Sequence, residues 1–257
     1  MARRSSLLVA AALLAALCLQ PPAARAQGLD AAAGQAAEAG VPASAVARVR
    51  GAVEAGALGR EDGAAVLAEL ARASGEGLPV APFAAKVEEG LAKGVSGPAI
   101  VRALDAKLAD YAFARQALAA NGRSPDAEAV AAAGESLRQG LSRDELSALA
   151  AVPGNADAAM VARAAHIKAL LDEIGFSREA SAGLLGEGLA RASLAPSWLY
   201  LSKVVLKARE KGVSDARLAQ AARDALSGTG SFNEFMQDIG FTTRNLRGAP
   251  GESGTRD

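Results

Sequence analysis

Residues 86–96 read KVEEGLAKGVS, and the chain runs on as GPAIVRAL to Leu104. This stretch predicts helix, stop, helix. Lys93 stands in a last turn, where a cation suits the negative end of the helix dipole. Gly94 is the stop. With no Cβ it enters the left-handed region, and the N–H groups that follow turn back onto the free carbonyls of the finished helix. Val95 is an apolar plug for that last turn. Ser96 offers a hydroxyl oxygen to the unbonded N–H groups of the next helix.

The same punctuation returns as QGLS at 139–142, IGFS at 174–177, KGVS at 211–214 and IGFT at 239–242, with AGVP at 39–42 as an earlier variant. Glu145, three residues after Ser142, completes a capping box. Connectors this short make consecutive helices near neighbours, antiparallel or sharply crossed. The expected fold is therefore all-α, an array or bundle of antiparallel helical hairpins with short Gly-apolar-Ser/Thr corners. Composition agrees: alanine, the best helix former, is abundant, and aromatics make up only 4% of residues. The stops at 94, 140, 175 and 212 are unevenly spaced. The spacing is close to helical-repeat periods but matches no one repeat family.

The first residues read as a secretory signal peptide. Arg3 and Arg4 precede an uncharged apolar run at 7–19, and Ala24-Arg25-Ala26 is a small-x-small cleavage site. The run is shorter than the roughly 20 residues that cross a bilayer. Cleavage after Ala26 is expected, with a periplasmic or secreted product and no membrane span after signal removal. Cys18 raises a lipoprotein alternative, against which Leu17 stands where lipid attachment wants a small residue. Cleavage would remove the only cysteine, and with it disulfide, thiol and thiolate-metal chemistry. It would also remove three of the 28 basic residues and none of the 28 acidic ones. A nearly neutral balance of this kind gives no footing to nucleic acid or to a polybasic membrane contact.

The domain reading is a signal peptide at 1–26, an all-helical domain at 27–246 and a disordered tail at 247–257. The turn Val152-Pro153-Gly154-Asn155 is the candidate boundary, near 152–156, if the domain has two lobes. Helices are expected at 29–39, 44–56, 60–73, 83–93, 98–120, 125–139, 142–151, 157–174, 177–192, 197–211 and 214–227. A last short helix should follow a Ser231/Glu234 capping box. Ser124 should cap the helix that begins with Pro125. The 197–211 helix is the most apolar and is expected to be buried on most sides.

Chemistry is sparse. His166, the only histidine, sits at the flank of an apolar stripe running from Met160 to Ile174, and no second His or Cys joins it as a metal ligand. The pairs Glu61-Asp62, Glu88-Glu89, Asp144-Glu145 and Asp172-Glu173 point about 100° apart on a helix and read as solvated faces. The Gly-rich run 183–188 lacks the preceding strand and the Lys-Ser/Thr of a phosphate loop. In Gly134-Glu135-Ser136, the Glu-Ser step resembles that of lytic transglycosylases, exported helical enzymes with a catalytic Glu before Ser. The resemblance covers two residues. The Gly-Leu-Met-Gln run that should follow is missing, so no residue role carries over.

These readings lead to an exported, non-catalytic helical binding or scaffold protein of the bacterial cell envelope. No cofactor, metal site or catalytic residue is expected, and the partner would be another envelope protein. Trp198, Tyr200, Phe232, Phe235 and Met236 are the candidate ligand or partner surface. Two alternatives stand beside it. One is an enzyme acting on cell-wall polymers, which would need facing carboxylates in a cleft and could use Glu135. The other is a carrier of an apolar small molecule, lined by Trp198, Tyr200 and Phe232.

Overall fold

A computed structural model describes residues 28–241. The expected signal peptide with Cys18, the expected disordered tail at 247–257 and Thr242 of the last corner lie outside the described residues. Within them the chain is all-α, with twelve α-helices and no strand. These are α1 (Leu29–Glu38), α2 (Ala43–Glu54), α3 (Arg60–Gly75), α4 (Ala81–Ala92), α5 (Gly97–Leu118), α6 (Ala127–Arg138), α7 (Arg143–Ala151), α8 (Ala158–Glu173), α9 (Arg178–Ala190), α10 (Leu201–Glu210), α11 (Asp215–Ser227) and α12 (Phe232–Asp238). Short 3-10 turns at Ala120–Gly122 and Pro196–Tyr200 precede α6 and α10.

At the helix ends, Gly40, Gly94, Gly140, Gly175, Gly212 and Gly240 all have positive φ. After Gly94, the Val95 N–H reaches back to the Gly90 carbonyl at 2.9 Å. Leu141, Phe176, Val213 and Phe241 make the same reach to Ser136, Leu171, Ala208 and Met236. Val41, Leu141, Phe176 and Phe241 are buried, whereas Val95 is 37% exposed. Ser142, Ser177 and Ser214 each accept a backbone N–H of the next helix through the side chain, and Ser142 and Glu145 form the reciprocal box.

The chain divides into two compact units. Among the described residues the first takes 28–72 together with Ala84–Arg102, and the second takes Ala73–Phe83 and 103–241. The turn at 152–155 lies inside the second unit. In the first unit α1 packs on α2, joined by an Arg50–Asp30 bond of 2.8 Å. Leu29, Val49, Val66, Leu67, Leu70, Val87 and Ile100 are among its buried side chains. In the second unit α6 packs extensively on α8, and α9 on α11, each pair skipping the helix between them.

Three local expectations need correction. The cap of α6 is Asp126, whose carboxylate accepts the Ala129 N–H at 2.7 Å. An ionised carboxylate at that position bonds the free amide more strongly than the hydroxyl of Ser124, two residues earlier, could. Ser231 caps α12, but Glu234 accepts the Thr229 hydroxyl instead of closing a box. The 197–211 segment is not buried on most sides. Its first turn is 3-10, and α10 buries Leu201, Val204, Val205 and Ala208 while Tyr200 and Leu206 face out. The 3.6-residue period puts those residues on the far side from the buried stripe, so high apolar content did not amount to burial all round.

Candidate functional site

Three periodic stripes of the second unit meet along one groove of about 580 Å3. The first is on α6: Glu128, Ala132, Glu135 and Gln139 follow a spacing of four, three and four, which stacks them on one helix face, and the cap Asp126 extends the row. The second is on α8: Ala159, Ala162, Arg163 and His166 stack in the same way. The third is the 3-10 turn, where Pro196 and Leu199, three apart, eclipse each other. Alanines 129, 132, 159 and 162 line the space between the charged rows. Their short side chains leave the room that larger residues would fill.

The walls differ in charge. The α6 wall carries the carboxylates of Asp126, Glu128 and Glu135. The α8 wall carries the Arg163 guanidinium as its charge, beside the His166 imidazole, and Arg163 donates to the Leu194 carbonyl and so ties itself to the chain before the 3-10 turn.

Glu135 is held from behind. Lys107 and Tyr111, on α5, both donate to its Oε1, the tyrosine hydroxyl at 2.6 Å. Lys107 is only 4% exposed, and its ammonium also lies 4.9 Å from the Tyr111 ring centre and 5.8 Å from that of Phe83. Burial pushes the Glu135 carboxyl up. The hydrogen bonds from Lys107 and Tyr111 and the charges of Lys107 and Arg138 outweigh it and hold the group below its ordinary value. Burial, then the bond and charge of Glu135, pushes the Tyr111 phenol far up. Gly134 permits this approach, because a Cβ there would run into the Tyr111 ring.

These facts limit the chemistry. Glu135 is an ionised acceptor at neutral pH, the wrong state for a general acid. The carboxylates lining the groove all come from α6 or its cap and none faces them from α8, so the opposed pair that glycoside hydrolysis requires is not built here. Among the described residues no three of His, Cys, Asp and Glu are grouped to hold a metal ion. No helix among them is long and apolar enough to cross a membrane.

Of the five residues expected as a partner surface, Trp198, Phe232, Phe235 and Met236 are buried. The three rings pack on one another with centres 5.1–5.6 Å apart, and the Trp198 indole N–H donates to the Gly230 carbonyl at 3.0 Å. Tyr200 alone is exposed, at 53%. Its neighbour Leu199 lines the groove. His166 is half-buried in the α8 wall. Asp126 and Glu128 showed in the sequence only as acids suited to the N-terminal end of a helix dipole, and Arg163 had no individual signal. The Glu128/Glu135/Gln139 spacing was the one available hint, a polar stripe on an otherwise alanine-rich helix.

Comparison with protein-family models, with curated proteins and with solved structures gave no match.

Proposed function

We propose that this protein is a non-catalytic binding or scaffold protein of the bacterial cell envelope, built as a series of helical hairpins with Gly-apolar-Ser/Thr corners. The observation that carries the reading is the groove between α6, α8 and the Pro196–Tyr200 turn. It has an alanine floor, an acidic wall and a basic wall, and its volume of about 580 Å3 falls within the usual range of ligand sites. Walls of opposite sign orient a partner, and small floor residues let its backbone come close. Export through the 1–26 signal segment places this binding role in the periplasm or outside the cell.

The groove also weighs between the alternatives. A cell-wall enzyme using Glu135 would need that carboxyl protonated or opposed by a second one, and Lys107 and Tyr111 hold it ionised. A carrier of an apolar molecule would need space beside Trp198 and Phe232, where the rings contact one another instead.

The test is crosslinking in the native host with partners identified by mass spectrometry, comparing the wild-type chain with Ala132→Arg, which fills the groove floor. The proposal expects one reproducible species captured by wild type and lost with Ala132→Arg. Capture that ignores the substitution, or no captured species at all from a well-expressed protein, argues against it.

A further inference from the structure

Of the four asparagines in the chain, only Asn121 precedes a glycine. That order matters for covalent chemistry. Gly122 has no side chain to hinder its own nitrogen, and its free backbone lets that nitrogen swing toward the Asn121 side-chain carbonyl carbon. Asn121 is exposed, in the 3-10 turn between α5 and α6. Its φ of 59° and ψ of 29° put it in the left-handed region.

The Asn121 amide also holds two elements together. Its Nδ2 donates to the Ala150 carbonyl at 3.1 Å. Arg123 Nη1 donates to the same carbonyl at 2.8 Å and to that of Ala120 at 3.1 Å, while its Nε donates to that of Ala156 at 2.8 Å. Ala150 stands in the last turn of α7, where carbonyls lack partners within the helix. The 121–123 segment therefore closes the end of α7 with two side chains.

We propose that Asn121 is a modification site whose deamidation unfastens this segment from α7. The Gly122 nitrogen gives up its proton and attacks the Asn121 Cγ. The Cγ–Nδ2 bond breaks, and the amide leaves with that proton as ammonia. Water then opens the five-membered imide at one of its two carbonyls. One opening gives aspartate. The other gives isoaspartate, which routes the main chain through the side-chain carbonyl and lengthens it by a methylene. Water is the only co-reactant.

The fold slows the first step. Ring closure needs the Asn121 Cγ and the Gly122 nitrogen on one side of the Cα–C bond, and the observed ψ turns them apart. The reaction waits for the turn to open locally. Afterwards the old contact cannot re-form. Either product replaces the amide donor with a carboxylate, ionised at neutral pH. That anion faces a carbonyl oxygen at the negative end of the α7 dipole, and it competes with three carbonyls for the Arg123 guanidinium. The step is irreversible, so the turn records the time it has spent open.

The test is peptide mapping of the purified chain after ageing in mildly alkaline buffer, with and without urea. Exchange of NH2 for OH adds about one dalton to the peptide that carries residue 121. The gain is expected at Asn121 ahead of the other three asparagines, and about tenfold or more slower in the folded protein than in urea, the factor being the equilibrium for local opening. Hydrogen exchange reads the consequence. In Asn121→Asp, the amides of 120–123 and of the residues that follow α7 should exchange about tenfold faster than in wild type, while those of α11 keep their rates. Asn121→Gly loses the donor, tolerates the positive φ and gains no charge, so it should fall between the two. No gain at residue 121 in either condition overturns the site, and equal rates in both overturn the protection by the fold. Exchange in Asn121→Asp no faster than in wild type overturns the unfastening.

Discussion

Lys107 and Glu135 form a pair in which one partner is sealed and the other faces the groove: the Lys107 side chain is 5% exposed and that of Glu135 41%. This asymmetry makes the two halves unequal under mutation. Glu135→Gln removes the charge of a carboxylate partner from an ammonium that is almost wholly buried. Its cost should be about 2 kcal/mol, below the ~3–5 kcal/mol of breaking a fully buried pair because the carboxylate was already partly solvated. Lys107→Met leaves a carboxylate that still takes the Tyr111 hydroxyl and faces solvent, and it should cost less than about 1 kcal/mol. Urea denaturation of both variants checks the order. Equal costs would mean that the pair is not sealed on the lysine side.

A second buried lysine couples stability to acid pH. Lys168, 3% exposed, donates to Glu145 on α7 at 3.0 Å and to Asp172 one turn along α8. Burial pushes the Glu145 carboxyl up, but the Ser142 backbone N–H, Lys168 and the Ser142 hydroxyl pull it down to about 2 from an ordinary 4.5. A folded-state value below the unfolded one means that the stabilisation is complete above about pH 4.5 and disappears as pH falls toward about 2. Stability measured from pH 7 to 2 should therefore drop within that window. Glu145→Gln should be less stable at pH 7 and should show a shallower drop. An unchanged slope in Glu145→Gln would assign the acid limb to other groups.

One substitution should have opposite signs at two helical glycines. Gly134→Ala drives a methyl group into the Tyr111 ring and should destabilise by about 1–3 kcal/mol, the usual cost of overpacking. Gly186 on α9 has nothing within 4 Å of where a Cβ would stand. Gly186→Ala should stabilise by about 0.5–1 kcal/mol through the lost chain entropy of glycine. Thermal melts of the two variants decide the matter, and a stabilised Gly134→Ala would contradict the packing described for α5 and α6.

The only tryptophan, Trp198, is buried in the second unit with its N–H bonded to Gly230. Its fluorescence should be blue-shifted in the folded protein and shift red on unfolding. Trp198→Phe should cost about 1–3 kcal/mol, from lost volume and from a Gly230 carbonyl left without its donor. Red-shifted emission from the native protein would place the indole in water and contradict the Trp198–Phe232–Phe235 cluster.

Local signals carried the helix content. The Ser142 and Ser214 caps follow from chemistry confined to four or five residues, and the sequence displays that chemistry directly. The Asp126 cap was masked by the equally plausible Ser124-Pro125 start just before it. The groove was hidden for a different reason. Its walls come from α6 and α8, which are not neighbours in the chain, and its floor is alanine, which looks the same in a core as in a cleft. The arginines were similarly opaque. Arg123, Arg209 and Arg217 donate to backbone carbonyls of Ala156, Ile174 and Asp238, and nothing in a sequence says which helix end a guanidinium will find. His166 did stand out as the only histidine, and Glu135 through its Glu-Ser step. What the sequence lacked was that both face one groove and that Glu135 has Lys107 and Tyr111 behind it.

The central claim is that the groove between α6, α8 and the 196–200 turn is the face with which the protein binds. A photoactivatable side chain placed at Leu199 in the living native host tests it most directly, with Gln220 on the exposed side of α11 as the control position. The account predicts a discrete covalent adduct from position 199 and none from position 220. Adducts from 220 and none from 199 would contradict it.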